Sequence, residues 1–330
     1  MPGTLVLATT KDGRLTRDAL ELLAGARRLK EKLAEPVAAA ILGAEVGSYV
    51  PLLFAHGADQ VYRTEHPLLE GYQGDAYVIA LHQICERAQP TVVLLPGDVM
   101  GRELGPRLAY RLQATFVAEF IDFDLDQASG RLQFTRQTYG GKAMAVVQPR
   151  MNPVVATAKL RTLEPATQEE GQTGEEIRVD VALEVSQLKT RLIEKVQEEA
   201  TGINLGDAKI VVSGGRGVHG PEGFRVLEEL AKVLRGAVGA SRAATDAGWV
   251  PPSWQIGQTG RNVSPELYLA FGISGATQHV AGISGSKHIV AVNTDPEAPI
   301  FKVAQLGIVG DWKLIATKLI ESCKELLRSS

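Results

Sequence analysis

The sequence predicts an α/β protein of two domains, each built on a mainly parallel sheet flanked by helices, with the C-terminal one doubly wound. Short apolar runs alternate with helical patterns in the first half (TLVLATT, PVAAAIL, TVVLLPG) and again after Lys209 (KIVV, AVGA, HIVAVN, LGIVG), which is the rhythm of strands joined by crossover helices. An apolar-poor loop at Pro165 to Glu176, then a charged helical segment and the polar TGINLGD, lie between the two series. The 330 residues also exceed the ~100 to 200 of an ordinary single domain.

The opening MPGTLVLATTKDGRL reads as a strand and turn, and a helix follows from Thr16, with Asp18 in its first turn and Leu20, Leu23 and Leu33 on one stripe. Another helix is expected over Gly74 to Arg87. From Thr115 to Val185 the pattern changes to alternating strand-like segments, with a hairpin turn at Asp126 to Gly130. Pro165 to Glu176 reads as an exposed loop and Gln187 to Ala200 as a charged helical connection, which places the boundary near Asn204 and gives domains 1–203 and 204–330. The second domain opens with a buried strand running into SGGRG, then a helix starting at Gly220 and Pro221 with a stripe of Phe224, Leu227, Leu230, Ala231 and Leu234. An amphipathic helix from Trp312 to Leu327 ends the pattern.

A hydrophobic fraction of 45%, a charged fraction of 22% and 34 glycines describe a folded chain with many tight turns. The net charge of -3 gives no electrostatic reason for a nucleic acid or an anionic membrane as partner. Cys85 and Cys323 share no metal-ligand or disulfide spacing and read as buried thiols of a reducing compartment. No apolar run approaches the ~20 residues that span a bilayer, and the N-terminus lacks a signal-peptide pattern, so the expected location is cytoplasmic or an equivalent matrix.

In an open parallel sheet, ligands sit outside the carboxyl ends of the strands. There the second half carries Ser213-Gly214-Gly215-Arg216-Gly217, Ser241-Arg242, Gln255-Ile256-Gly257-Gln258-Thr259-Gly260, Ser274-Gly275-Ala276-Thr277-Gln278-His279, Asn293 and Asp311. Glycines that admit backbone N–H groups, hydroxyls that donate and arginines that neutralise are what a pyrophosphate requires. Each residue also has a plainer reading. SGGRG lacks the GxGxxG spacing, Ser241 and Asp311 could be helix caps, Arg242 could pair with Asp246, and His279 could be a satisfied helical histidine. Their recurrence at successive strand ends favours one extended, phosphate-bearing ligand. Asn262-Val263-Ser264 matches a glycosylation sequon, but Ser264-Pro265 reads instead as a helix cap; Arg102, Arg107 and Arg111 read as a solvated basic face, and Tyr139-Gly140-Gly141-Lys142 as a hairpin or bulge.

SGGRG, GASRAATDAGWVP, QIGQTGRNVSPELYLAFGISGATQHVAGI and AVNTDPEAPIFKVAQLGIVGD, in this order and spacing, resemble the C-terminal domain of electron-transfer flavoprotein α subunits over Lys209 to Leu327. The resemblance implies an electron carrier, not an enzyme with its own acid, base or nucleophile. It implies FAD in the C-terminal domain, a β subunit as heterodimer partner met by the N-terminal domain, acyl-CoA or other flavin dehydrogenases as donors, a quinone-linked acceptor, and a place beside fatty acid β-oxidation. Carried over, Arg216 lies beside the flavin ring, Ser241, Arg242 and Gln255 contact the cofactor, and Ile256, Gly257, Gln258 and Thr259 run along the isoalloxazine and ribityl chain. Ser274, Gly275, Ala276, Thr277, Gln278 and His279 span the pyrophosphate side and the pyrimidine end, Asn293 and Asp311 hold the adenosine part, and Trp312 is a further cofactor-binding residue. No metal ligand is implied. Reduction places negative charge near N1 and the C2 carbonyl, where His279 and Arg242 are the expected stabilising groups, with Thr259 near N5. Competing readings are a catalytic NAD- or FAD-dependent enzyme on a related doubly wound fold, a nucleotide-binding signalling module, and, within the family, a subunit of an NADH-using bifurcating complex.

Overall fold

The computed structural model describes residues 3–141, 143–190, 192–194, 205–206 and 208–329. The chain is α/β and divides into two compact units, the first formed by Met1–Thr138 with Ala143–Val196 and the second by Tyr139–Lys142 with Gln197–Ser330. The expected boundary at Asn204 lies outside the described residues.

The first unit is laid down as β1 (Thr4–Ala8), a small hairpin of β2 (Thr10–Lys11) and β3 (Arg14–Leu15), α1 (Arg17–Leu33), β4 (Val37–Gly43), α2 (Val50–Ala55), β5 (Gln60–Glu65), α3 (Gly74–Ala88), β6 (Val92–Pro96) and α4 (Val99–Leu112). Then come β7 (Thr115–Leu125), β8 (Leu132–Thr138), β9 (Ala143–Val147), β10 (Val154–Ala158) and β11 (Glu175–Arg178). Nine of these strands form one sheet in the order β11-β5-β4-β1-β6-β10-β7-β8-β9, parallel except where β8 pairs with β7 and β9. Alternation along β1 explains why the sheet is covered on both faces: Val6 and Ala8 enter a core with α1 and α2, whereas Leu5 and Leu7 enter one with α3 and α4.

Thr16 caps α1 as expected: its hydroxyl accepts from Ala19 N and meets Thr9 Oγ1 at 2.6 Å. Thr16→Ala is expected to cost about 1 kcal/mol in chemical denaturation, the usual worth of such a cap; an unchanged midpoint would assign the capping to water.

Several expectations are corrected. Glu175 and Glu176, read as loop, begin β11 and add an edge strand beside β5, where Arg63 reaches Glu176 at 2.5 Å. Two of the arginines read as a solvated face are paired, Arg102 with Glu119 at 2.5 Å and Arg107 with both Asp75 and Glu103. The helical connection expected at Gln187 to Ala200 begins with a single 3-10 turn at Val185–Gln187; residues 195–200 lie outside those described. Tyr139–Gly141 form a 3-10 turn between β8 and β9, in keeping with the hairpin reading. Cys85 is buried and free, with burial pushing its thiol up to about 12; Cys323 is free but only half-buried.

In the second unit the order is β12 (Ile210–Gly214), α5 (Pro221–Val233), β13 (Ala237–Ala240), α6 (Arg242–Asp246), β14 (Leu267–Phe271), α7 (Thr277–Ile283), β15 (His288–Asn293), β16 (Leu306–Val309) and α8 (Trp312–Ser329). The five strands are all parallel in the order β13-β12-β14-β15-β16. The chain thus winds one way from β12 to β13 and the other way from β14 onward, so its direction reverses between β12 and β14. Val212, Leu269, Phe271 and Val292 pack on α5 and α8, while Val211, Tyr268, Ala270 and Ala291 face Ile256, Ile283 and Ile300. Ser264-Pro265 caps no helix. It leads into β14 with Val263 N bonded to Gly282 O, because the aromatic, alternating LYLAF that follows prefers an extended backbone in a sheet. Among the described residues no helix is long and apolar enough to cross a membrane, and no cluster of residues could hold a metal ion.

Candidate functional site

The reversal between β12 and β14 is where a doubly wound sheet opens a crevice, and the second unit has a cavity of about 1030 Å³ at this place. The loops after β12 and β14 are tied backbone to backbone: Gly215 N donates to Phe271 O at 2.9 Å and Gly217 N to Gly272 O at 3.0 Å. The first loop presents Arg216, which is exposed and makes no ion pair among the described residues, and the second presents Ser274 and Ala276. Ser241 and Arg242 follow β13, and Arg242 Nε reaches Asp246 at 3.2 Å across one turn of α6. The pairing considered as the plainer reading of Arg242 is therefore present, in a side chain that still lines the cavity.

The loop of Ile256, Gly257, Gln258 and Thr259 forms another wall, held by Ile256 N on Ala240 O at 2.9 Å and Gln258 N on Gln278 O at 2.8 Å. Gln278 and His279 on α7 and Asn293 at the end of β15 complete it. Asn293 Nδ2 donates to Ile273 O at 3.0 Å, which fixes the mouth of β15 to the loop after β14.

Five expected residues lie outside the lining. Gln255 stands behind it, holding Thr259 Oγ1 at 2.9 Å and Thr245 Oγ1 at 3.0 Å. Gly275 turns the loop at φ 87 against Ile300. Thr277 is exposed at the start of α7. Asp311 caps α8 by accepting from Lys313 N at 2.7 Å, and Trp312 is buried with α5 and α8. Conversely, His219, Asp246, Trp249, Asp295, Ala298 and Pro299 line the cavity without having been singled out. Asp295 and Pro299 sit just past a strand end and Trp249 lies within the quoted GASRAATDAGWVP, so the strand-end rule applied a few residues further would have found them.

His279 is 6% exposed. Its Nε2 lies 2.9 Å from the Tyr268 hydroxyl, and its Nδ1 is buried without a partner. Burial lowers its pKa to about 4, opposed by the nearby Ile256 backbone, so the ring is neutral at pH 7. Ser241 Oγ is likewise buried and unpaired. Orphaned polar atoms in a native wall call for a partner. With two arginines, unpaired donors and a volume at the upper end for cofactor pockets, this wall defines a protein that holds a nucleotide cofactor at the switch point of a doubly wound sheet.

Comparison with known proteins makes the class specific. A family profile described as "Electron transfer flavoprotein domain" matches residues 4–184, and one described as "Electron transfer flavoprotein FAD-binding domain" matches residues 204–284. The electron transfer flavoprotein subunit alpha of Thermoanaerobacterium thermosaccharolyticum is 40% identical over 322 residues, covering 97% of each chain. That of Bacillus subtilis is 40% identical over 98% of this chain and 97% of its own. The acryloyl-CoA reductase electron transfer subunit beta of Anaerotignum propionicum is 35% identical over 97% and 95%. The chain belongs to the electron transfer flavoprotein family, on the side of its α subunits; it is an electron carrier and not an enzyme, and its cofactor is FAD.

Proposed function

We propose that this chain is the α subunit of a cytoplasmic αβ heterodimer that receives electrons from flavin dehydrogenases, acyl-CoA dehydrogenases of fatty acid β-oxidation among them, and passes them singly to a quinone-linked acceptor. Its two domains are 1–203, which meets the β subunit, and 204–330, which holds FAD. The observation that supports this best is the convergence of the loops after β12, β13, β14 and β15 on one cavity. FAD supplies the redox chemistry when bound. Arg216 and Arg242 provide fixed positive charge, Ser241, Ser274 and Thr259 provide hydroxyls, and the Ile256 to Thr259 loop shapes the wall along the ring. Gln278 and His279 serve the pyrimidine end, and Asn293 the adenosine side with Asp311 at its margin. Gln255, Gly275 and Trp312 support these groups from behind, and Thr277 at the start of α7 stands at the edge of the site.

Arg242→Ala is expected to lower the first reduction potential by up to ~60 mV, tenfold in the one-electron equilibrium, because a cation beside the ring favours its reduced, negatively charged form. The effect is modest because Arg242 is 67% exposed and shares its charge with Asp246. A redox titration of the FAD-loaded heterodimer checks it, and an unchanged potential removes Arg242 from this role. The resemblance to a reductase's electron transfer subunit supports a second reading, a dedicated component of a bifurcating complex that uses NADH. Counting FAD per heterodimer and assaying NADH oxidation decide between the two.

A further inference from the structure

Tyr268 is the second residue of β14, opposite Val211 of β12, and its side chain is 0% exposed. Its ring lies 6.2 Å from that of His279, with an interplanar angle of 57°, and its hydroxyl is 2.9 Å from Nε2. A phenol shut away from water must give its proton to an acceptor. Ser213 Oγ, also fully buried, stands beside the phenol oxygen as a hydroxyl that can donate to it. The acceptor in bonding geometry is Nε2.

We propose that Tyr268 is a positioning residue for the cofactor site: by donating its O–H to His279 Nε2 it fixes the imidazole as the neutral Nδ1–H tautomer, so that the cavity wall offers FAD an uncharged hydrogen-bond donor beside the Ile256 backbone. The proposal rests on the reading of this cavity as the FAD site. It divides the work of the wall in two. Arg216 and Arg242 bring charge, and His279 brings a donor whose direction and protonation are set from behind, by a residue that does not line the cavity. The reverse arrangement, Nε2–H donating to the phenol oxygen, forces the phenol proton onto Ser213 Oγ and leaves Nδ1 as a bare lone pair, which offers a cofactor no donor. Neutrality of the ring agrees with its burial, since both the imidazolium and the phenolate are disfavoured in this pocket. Which ring nitrogen carries the proton is set by the bond the other one makes.

The test uses the full chain with its partner subunit and FAD, labelled with ¹⁵N-histidine. Two-bond proton–nitrogen correlations should place His279 with Nδ1 protonated and Nε2 bare; protonation at Nε2, or an even mixture of tautomers, overturns the proposal. Tyr268→Phe keeps the ring and removes the hydroxyl. It should retain FAD while lowering the first reduction potential by up to tenfold in the one-electron equilibrium, ~59 mV. On a His279→Gln background the same substitution should shift the potential no further; equal shifts in the two backgrounds would mean that Tyr268 does not act through His279. Should Tyr268→Phe not fold, the tautomer of the unaltered chain decides alone. Should the heterodimer carry no FAD, the reading of the cavity fails, and the tautomer measured in the FAD-free chain still supports or overturns the role of Tyr268.

Discussion

Gly215→Ala is expected to destabilise the C-terminal unit by about 3 kcal/mol, at the upper end of what overpacking costs, and to weaken FAD retention at least tenfold. The loops after β12 and β14 meet at the switch point with no side chain between them. A Cβ on Gly215 would fall on the Gly272 carbonyl oxygen, and one on Gly272 would lie 2.7 Å from the carbonyl carbon of Gly217. Neither loop can step back, because Gly215 N and Gly217 N are bonded to Phe271 O and Gly272 O. Gly272 also has a φ of 61, a region that side-chain-bearing residues rarely adopt. Relief of the clash must open the crevice between Arg216 and Ser274, which is the floor of the cavity. The three tryptophans, Trp249, Trp254 and Trp312, all lie in this unit, so their fluorescence follows its thermal unfolding, and released flavin follows the cofactor. Gly310→Ala is the control: its Cβ would meet Ile315 Cδ1 at 3.3 Å, the far end of a flexible side chain, and should change stability by about 0.5 kcal/mol or less. Equal unfolding temperatures for the two variants would show that the switch-point loops separate freely.

The parallel strands were legible because their apolar runs are long and bounded by glycine, proline or a charge, as with the LVLA, AAAIL and VVLLP segments of β1, β4 and β6. Local periodicity carries no record of which distant strand accepts an edge, so β11, four residues with three charges, was read as loop. The Arg107 pair with Asp75 and the Arg102 pair with Glu119 were hidden for a similar reason: a helical face of arginines looks solvated until α3 and β7 are placed beside it. At the site, residues at strand ends were found because topology dictates where ligands lie, and the wall formed by Ser241, the Ile256 to Thr259 loop and His279 follows from that rule. Tyr268 was missed because its hydroxyl belongs to a residue that otherwise completes an apolar strand, LYLAF, and only the meeting with His279, eleven positions on, gives it chemistry. The glycine contacts between Gly215 and Gly272 were invisible for the same reason, since they join two strands that are adjacent in space but not in sequence.

Stability of the C-terminal unit is expected to fall by about 3 kcal/mol between pH 6.5 and pH 4 on account of His279 alone. The free imidazole titrates at 6.5, and burial in the folded chain holds it to about 4. As the pH falls through 6.5 the unfolded chain takes up a proton on this ring and the folded chain does not. The unfolded state then binds more protons, and stability is lost with each step downward until the folded ring also protonates near pH 4. The stability is therefore fully present above 6.5, and the interval between the two values corresponds to about 3 kcal/mol at ~1.36 kcal/mol per pH unit. Tyr268, the titratable group in contact with the ring, has its phenol pushed upward by burial and stays neutral throughout this range. Glu21, whose carboxyl burial raises above its ordinary value, lies in the first unit. A comparison with His279→Gln isolates the ring, because glutamine can meet the Tyr268 hydroxyl and does not titrate. Denaturant midpoints of the FAD-free full-length chains, followed by tryptophan fluorescence, should converge as the pH is lowered from 7.5 to 4.5, with the wild type losing the larger share. Parallel curves over that range would mean that the ring accepts a proton in place, and that the wall beside Ile256 and Tyr268 is wet enough to hold an imidazolium.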